Sequence, residues 1–179
     1  MKTLLLLIGI LFCTQGYAQK YYTKTGQIDF EASVPAFEPV KASHKTVTAL
    51  LDANSGEIAI LSLMKGFRFR NALMEEHFNE NYMESDTYPK AVFKGTVIDF
   101  SKEGLDNNKS FTVKGTLTLH GKTKDVEAVL DVKMVANTLV LKTTFSVAPE
   151  EFDIEIPGVV SEKISDKILI TADFTLVEK

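Results

Sequence analysis

The chain is 179 residues long, with 20 basic and 24 acidic side chains, three histidines, a single cysteine and no tryptophan, a length that suits one folded domain. Its formal net charge of −4 is spread without blocks of like sign or an Arg-rich stripe, which argues against a face for nucleic acid or anionic lipid headgroups. There is no internal repeat, low-complexity stretch or linker.

The first residues have the layout of an export signal. Lys2 supplies a short positive region, residues 4–12 are an apolar stretch too short to span a bilayer, and Gly16-Tyr17-Ala18 offers small residues where a signal peptidase reads them. Cleavage after Ala18 is expected. It leaves Gln19 as the N-terminus of a domain over residues 19–179 that is periplasmic or secreted. Cys13 follows Phe12 rather than a small residue, so lipidation is not expected. The mature domain then has no cysteine, and with it no disulfide, thiol nucleophile or thiolate metal site.

Beyond the signal, alternation with period two dominates, the mark of antiparallel sheet with one face buried. Residues 27–32 alternate Ile28, Phe30 and Ala32. Residues 45–52 read as a strand closed by the turn Asn54-Ser55-Gly56, and residues 57–64 are apolar on both faces. Gly66 allows a bend before residues 67–70. Residues 71–83 break the pattern. Asn71 suits an N-cap, Glu75 and Glu76 sit in the first turn, and Met74, Phe78 and Tyr82 recur at i+4 beside Leu73 and His77, which predicts one short amphipathic helix. A strand over 90–100 follows Pro89, and residues 101–110 form a polar loop. Asp106, Asn107 and Asn108 lack the downstream Glu of a calcium loop and read as a solvated turn.

Four clean rows complete the chain. They are Phe111, Val113, Leu117 and Leu119; then Val126, Ala128, Leu130, Val132 and Met134; then Leu139, Leu141, Thr143, Phe145 and Val147; then Ile168, Ile170, Ala172, Phe174 and Leu176. His120-Gly121 and Ala136-Asn137 separate them as turns. About eight long strands would leave exposed edges unless they curled shut, so an all-β antiparallel barrel is predicted, with the helix over one open end.

No chemistry-bearing constellation stands out. His44, His77 and His120 show no metal-ligand spacing, and no nucleophile elbow, phosphate loop or dinucleotide fingerprint is present. Glu150, Glu151, Asp153 and Glu155 read as a solvated acidic loop. Lys65, Arg68 and Arg70 could face a polar headgroup at a barrel mouth, but alternation alone points them outward. An eight-stranded barrel is just wide enough to be filled by side chains or to hold one small ligand, and alternation does not separate the two.

Two stretches carry a family resemblance. The first is FRFRNALMEEHFNENYMESDTYPKAVFKG over residues 67–95; the second is VKGTLTLHGKTKDV over 113–126. Their order and spacing resemble the YceI-like family of exported, lipocalin-like proteins, whose pattern runs R-D-x-H-L with F-F, then Y-P-x-x-x-F, then G-x-L-T-x-x-G-x-T-x-x-V. Tyr88, Pro89 and Phe93 match the middle motif, and Gly115, Leu117, Thr118, Gly121, Thr123 and Val126 match the last. The chain departs at Arg70-Asn71, where the family has Arg-Asp, and at the lone Phe78, where it often has two phenylalanines. The compact region 137–147 and the following loop 149–160 also have their own composition.

The resemblance implies an extended eight-stranded, lipocalin-like barrel capped by a short helix. It also implies a polyisoprenoid or similar long-chain lipid inside, no cofactor and no catalysis. In such a barrel the expected ligand-contacting residues are Phe67, Phe69, Leu73, Met74, Phe78, Phe93, Leu117, Leu130, Val132 and Phe145, with no catalytic or metal residue among them. A rival expectation is a solidly packed β domain that binds a protein partner through its outer surface; a hydrolase is the weakest. Val132 separates the first two. In a hollow barrel, Val132→Phe would keep or raise the melting temperature of ligand-free protein and reduce bound lipid.

Overall fold

The strands follow the apolar rows. A computed structural model describes residues 19–179; residues 1–18, with Cys13, the expected signal and its expected cleavage site, lie outside the described residues. In chain order the elements are β1 (Lys20–Ser33), β2 (Lys41–Asp52), β3 (Glu57–Leu63), β4 (Arg68–Phe69), α1 (Ala72–His77), β5 (Lys90–Val97), β6 (Lys109–Leu119), β7 (Lys122–Val135), β8 (Thr138–Val147), α2 (Gly158–Ser161) and β9 (Ile164–Glu178). Every pairing is antiparallel. The order β1-β9-β8-β7-β6-β5-β3-β2 closes on itself because β2 also pairs with β1, which makes an eight-stranded barrel. The two-residue β4 adds to β2 at one rim, with Phe69 opposite Ala42.

β1 and β2 are longer than alternation predicts, for a geometric reason. On β1 the inward residues are Tyr21 and Thr23 and then Ile28, Phe30 and Ala32, a switch of parity. β2 switches likewise between His44 and Val47. The β1–β2 register shifts on either side of Gly26, so a bulge interrupts the period-two signal on both strands. Gly26 is needed there because the Phe174 ring packs directly on it; a Cβ at this position would lie 2.2 Å from a ring carbon.

The helix over 71–83 forms, but not as one regular element. The Asn71 side chain caps it by accepting from the Leu73 N–H at 2.9 Å. After α1 the chain widens into a π turn over Phe78–Tyr82, closed by the Met83 N–H on the Phe78 carbonyl at 2.8 Å.

Inside the barrel the buried side chains divide into two clusters. One contains Val47, Ala49, Leu51, Val97, Leu130, Val132, Leu139, Leu141 and Leu176. Leu105, from the loop before β6, closes its end and is anchored by the Met134 N–H bonding the Leu105 carbonyl at 2.7 Å. Asp106, Asn107 and Asn108, which follow Leu105, are exposed and form the solvated turn expected there. The second cluster, around Ala42, Met64, Phe67, Met83, Phe152 and Ile154, lies toward the helix.

Candidate ligand-binding site

The half of the barrel toward the helix is hollow. A cavity of about 510 Å³ lies among the inward residues of the strands, roofed by α1, the π turn and the segment 149–160. That volume falls within the usual range for small-molecule sites, about 300–1,000 Å³. Its floor is formed by Ile28, Ile60, Phe93, Ala172 and Phe174, where it meets the packed cluster.

Four phenylalanines build the wall beneath the helix. Phe30 from β1 lies 5.4 Å from Phe67, 5.5 Å from Phe69 and 5.4 Å from Phe78, and Phe78 lies 5.1 Å from Phe69. Such edge and offset contacts contribute about 0.5–1.5 kcal/mol per pair beyond area burial. They draw β1, β4 and the start of the π turn together. Glu75 fixes the helix to β4, since its carboxylate accepts from the Phe69 N–H (3.1 Å) and from Arg68 (3.2 Å). Lys65 pairs with Asp86. Lys65 and Arg68 are therefore engaged by the protein, and Arg70 is exposed.

The opposite rim is tied by His120, which sits in the two-residue β6–β7 hairpin turn and has a positive φ of 49°. Its Nδ1 donates to the Phe152 carbonyl at 3.0 Å, its Nε2 lies 3.1 Å from a Glu84 carboxylate oxygen, and its ring packs edge-on to Tyr88. Lys122 reaches Asp153 at 2.6 Å, which holds the Asp153 carboxyl below its ordinary range and raises the Lys122 ammonium. These contacts hold the 149–153 segment over the cavity and push Phe152 and Ile154 inward. His44 is buried at 1 % exposure beside Phe67 and does not line the cavity. Burial lowers its pKa, and the nearby Arg68 charge acts in the same direction.

Of the residues expected from sequence to contact ligand, Phe67, Phe69, Met74, Phe78, Phe93, Leu117 and Phe145 line the cavity. Three do not. Leu130 and Val132 lie at the other end of their row on β7, in the packed cluster, with Val132 fully buried opposite Leu141. Leu73 is 56 % exposed; it sits one residue, about 100° of helix, from the Met74–Phe78 row and turns to solvent. Sequence reading left out Ile28, Phe30, Ile168 and Ile170, which belong to rows it had already recognised. It also missed Phe152, Ile154 and Ile156, which line the cavity. They alternate with Glu151, Asp153 and Glu155, and the acidic members concealed an apolar row. Among the described residues no group of three or more His, Cys, Asp or Glu is placed to hold a metal ion, and no helix is long and apolar enough to cross a membrane.

The family model of the YceI-like domain matches residues 17–176. The chain belongs to the YceI-like family. A search of the curated proteins finds no match. Among solved structures, this YceI-like chain is similar to one described as a polyisoprenoid binding domain from Saccharophagus degradans implicated in plant cell wall breakdown. The TM-score is 0.76 at 14 % identity, covering 90 % of this chain and 99 % of that one. BcnA of Burkholderia cenocepacia aligns with TM-score 0.70 at 16 % identity over 85 % of this chain and 96 % of that one. The YCEI protein of Campylobacter jejuni gives 0.63 at 17 % identity over 82 % and 88 %. At such identities the likeness establishes the shared barrel.

Proposed function

We propose that this YceI-like protein is exported and holds a polyisoprenoid or another long-chain apolar ligand in the hollow half of its barrel. The observation that carries this reading is the cavity itself, which is lined almost wholly by Phe, Ile, Leu, Val, Met and Ala. A flexible apolar chain placed there gains about 0.8 kcal/mol per buried CH₂. The name of the Saccharophagus degradans domain, a polyisoprenoid binding domain, supports the ligand class. The signal layout of residues 1–18 supports export to the periplasm or beyond. No reaction is assigned. The rival reading, a solidly packed domain working through its outer surface, suits only the half around Leu139 and Leu141.

Native mass spectrometry of protein recovered from an exporting host tests both parts. The expected result is a polypeptide beginning at Gln19 with a mass adduct that an apolar solvent extracts. Protein that carries no adduct and takes up no polyisoprenoid when offered one would sink the ligand; a diacylglycerol-modified Cys13 would sink the cleavage site.

A further inference from the structure

One buried polar side chain in the cavity wall has no partner in the protein. β3 turns Ile58, Ile60 and Ser62 inward in alternation, and Met64 follows in the next turn. Ser62 is 3 % exposed and lines the cavity, and its Oγ makes no hydrogen bond. Its register partner on β5 is Ala91, whose single methyl group offers the hydroxyl no hydrogen bond.

The other polar side chains around the cavity differ. Thr143 spends its hydroxyl on the Val129 carbonyl at 2.7 Å. Glu38, His77 and Lys163 are exposed at the rim, where water serves them, and Tyr82, at the end of the π turn, is half-buried. His44, whose Nε2 is also unsatisfied, is sealed behind Phe67 and Gly66 and does not line the cavity.

Given the reading of the cavity as a site for an apolar chain, we propose that Ser62 is a polar subsite that hydrogen-bonds a neutral oxygen carried by the ligand inside the cavity. That oxygen belongs to a hydroxyl or a carbonyl. A serine hydroxyl both donates and accepts, so it serves either. A carboxylate or phosphate is disfavoured because Lys163, the one Lys or Arg lining the cavity among the described residues, sits at the exposed rim, and an ion beside Ser62 would be buried unpaired. An orphaned buried hydroxyl destabilises the empty protein, and a hydrocarbon leaves it orphaned. An oxygenated chain alone relieves that cost. Ser62 therefore sets specificity more than total affinity, as sites built around a hydrogen bond do.

The test uses delipidated protein and three probes matched in chain length: a long-chain primary alcohol, the corresponding methyl ketone and the alkane. Wild type should retain the alcohol and ketone about three- to ten-fold better than the alkane, the span expected of one net hydrogen bond. Ser62→Ala should erase that preference, leave alkane retention intact and leave the ligand-free melting temperature no lower. Ser62→Thr should keep the preference. A preference that survives Ser62→Ala, or an equal loss for all three probes, overturns the subsite. Failure of wild type to retain any probe, the alkane included, overturns the reading of the cavity and the subsite together.

Discussion

The two halves of this barrel are made from the same strands and the same kinds of residue, yet one is filled and the other hollow. On β8 the row begins with Leu139 and Leu141, both fully buried in the packed cluster, and continues into Thr143, Phe145 and Val147, which line the cavity. β9 reverses the direction, from Ile168 and Ile170 at the cavity to Phe174 and Leu176, of which Leu176 lies wholly in the packed end. The difference comes from what meets across the barrel at each level. In the packed half, Leu and Val from several strands converge and Leu105 closes the end. At the boundary, Gly95 and Gly115 are register partners with no side chain to contribute, and the Phe93 ring folds over the gap. A Cβ on Gly115 would lie 2.3 Å from the Lys94 carbonyl oxygen, so the closeness of β5 and β6 itself requires bare backbone there. Above that level small residues recur, with Ala91 on β5, Ala42 on β2 and Ala32 on β1. Hollowness here is a shortage of side-chain volume at one height of a continuous sheet.

That account makes truncations unequal. Leu139→Ala removes a fully buried side chain from the packed end and should cost about 2–5 kcal/mol, the transfer loss plus the residual cavity. Leu117→Ala removes a half-buried side chain whose neighbour is already empty space. It should cost distinctly less in ligand-free protein and show mainly as weaker lipid retention. Denaturant unfolding of delipidated samples measures both, because bound lipid would stabilise wild type by mass action. Equal costs would mean that the cavity closes up when empty.

Enlarging side chains sharpens the same contrast from the other direction. Val132→Phe, expected from sequence alone to be neutral or stabilising, now falls in the packed half and should destabilise by about 1–3 kcal/mol. Ile60→Phe at the cavity floor is the variant that should be nearly neutral in melting temperature while reducing bound lipid. The two melting temperatures, with extracted lipid quantified alongside, decide the matter. A stable Val132→Phe would place free volume where the structure has none.

Why Val132 misleads shows what alternation carries. Each row tells which side chains face inward, and on β6 to β9 the rows predict strands that form nearly as read. A row does not tell at what height a residue stands, since height depends on register with strands far along the chain. Leu130 and Leu117 look alike in sequence; pairing puts one among Leu and Val side chains and the other above Gly115. β1 and β2 hide their full length in the sequence because the bulge at Gly26 changes their parity midway. The wall formed by Phe152 and Ile154 was hidden differently. Its inward direction comes from His120 and Lys122 gripping the 149–153 segment, a contact between residues about thirty apart.

The smallest expected effect concerns His44, at the seam between the two buried clusters. Its Nδ1 accepts from the Thr46 N–H at 3.2 Å, and burial holds its pKa below the ordinary 6.5, with Arg68 adding to the shift. The folded protein therefore resists protonation that the unfolded chain accepts. Well above pH 6.5 both states are neutral and His44 makes no pH-dependent contribution. As pH falls below 6.5 the unfolded state binds the proton first, so stability declines until the lowered folded-state pKa is reached. The decline should be modest, and the carboxylates add their own slope at lower pH. His44→Leu isolates the histidine: whatever it does to stability at neutral pH, the loss between pH 7 and pH 5 should shrink relative to wild type. Parallel pH profiles for the two proteins would show that the ring protonates as readily in the fold as in the unfolded chain. The seam beside Phe67 would then be wetter than its burial indicates.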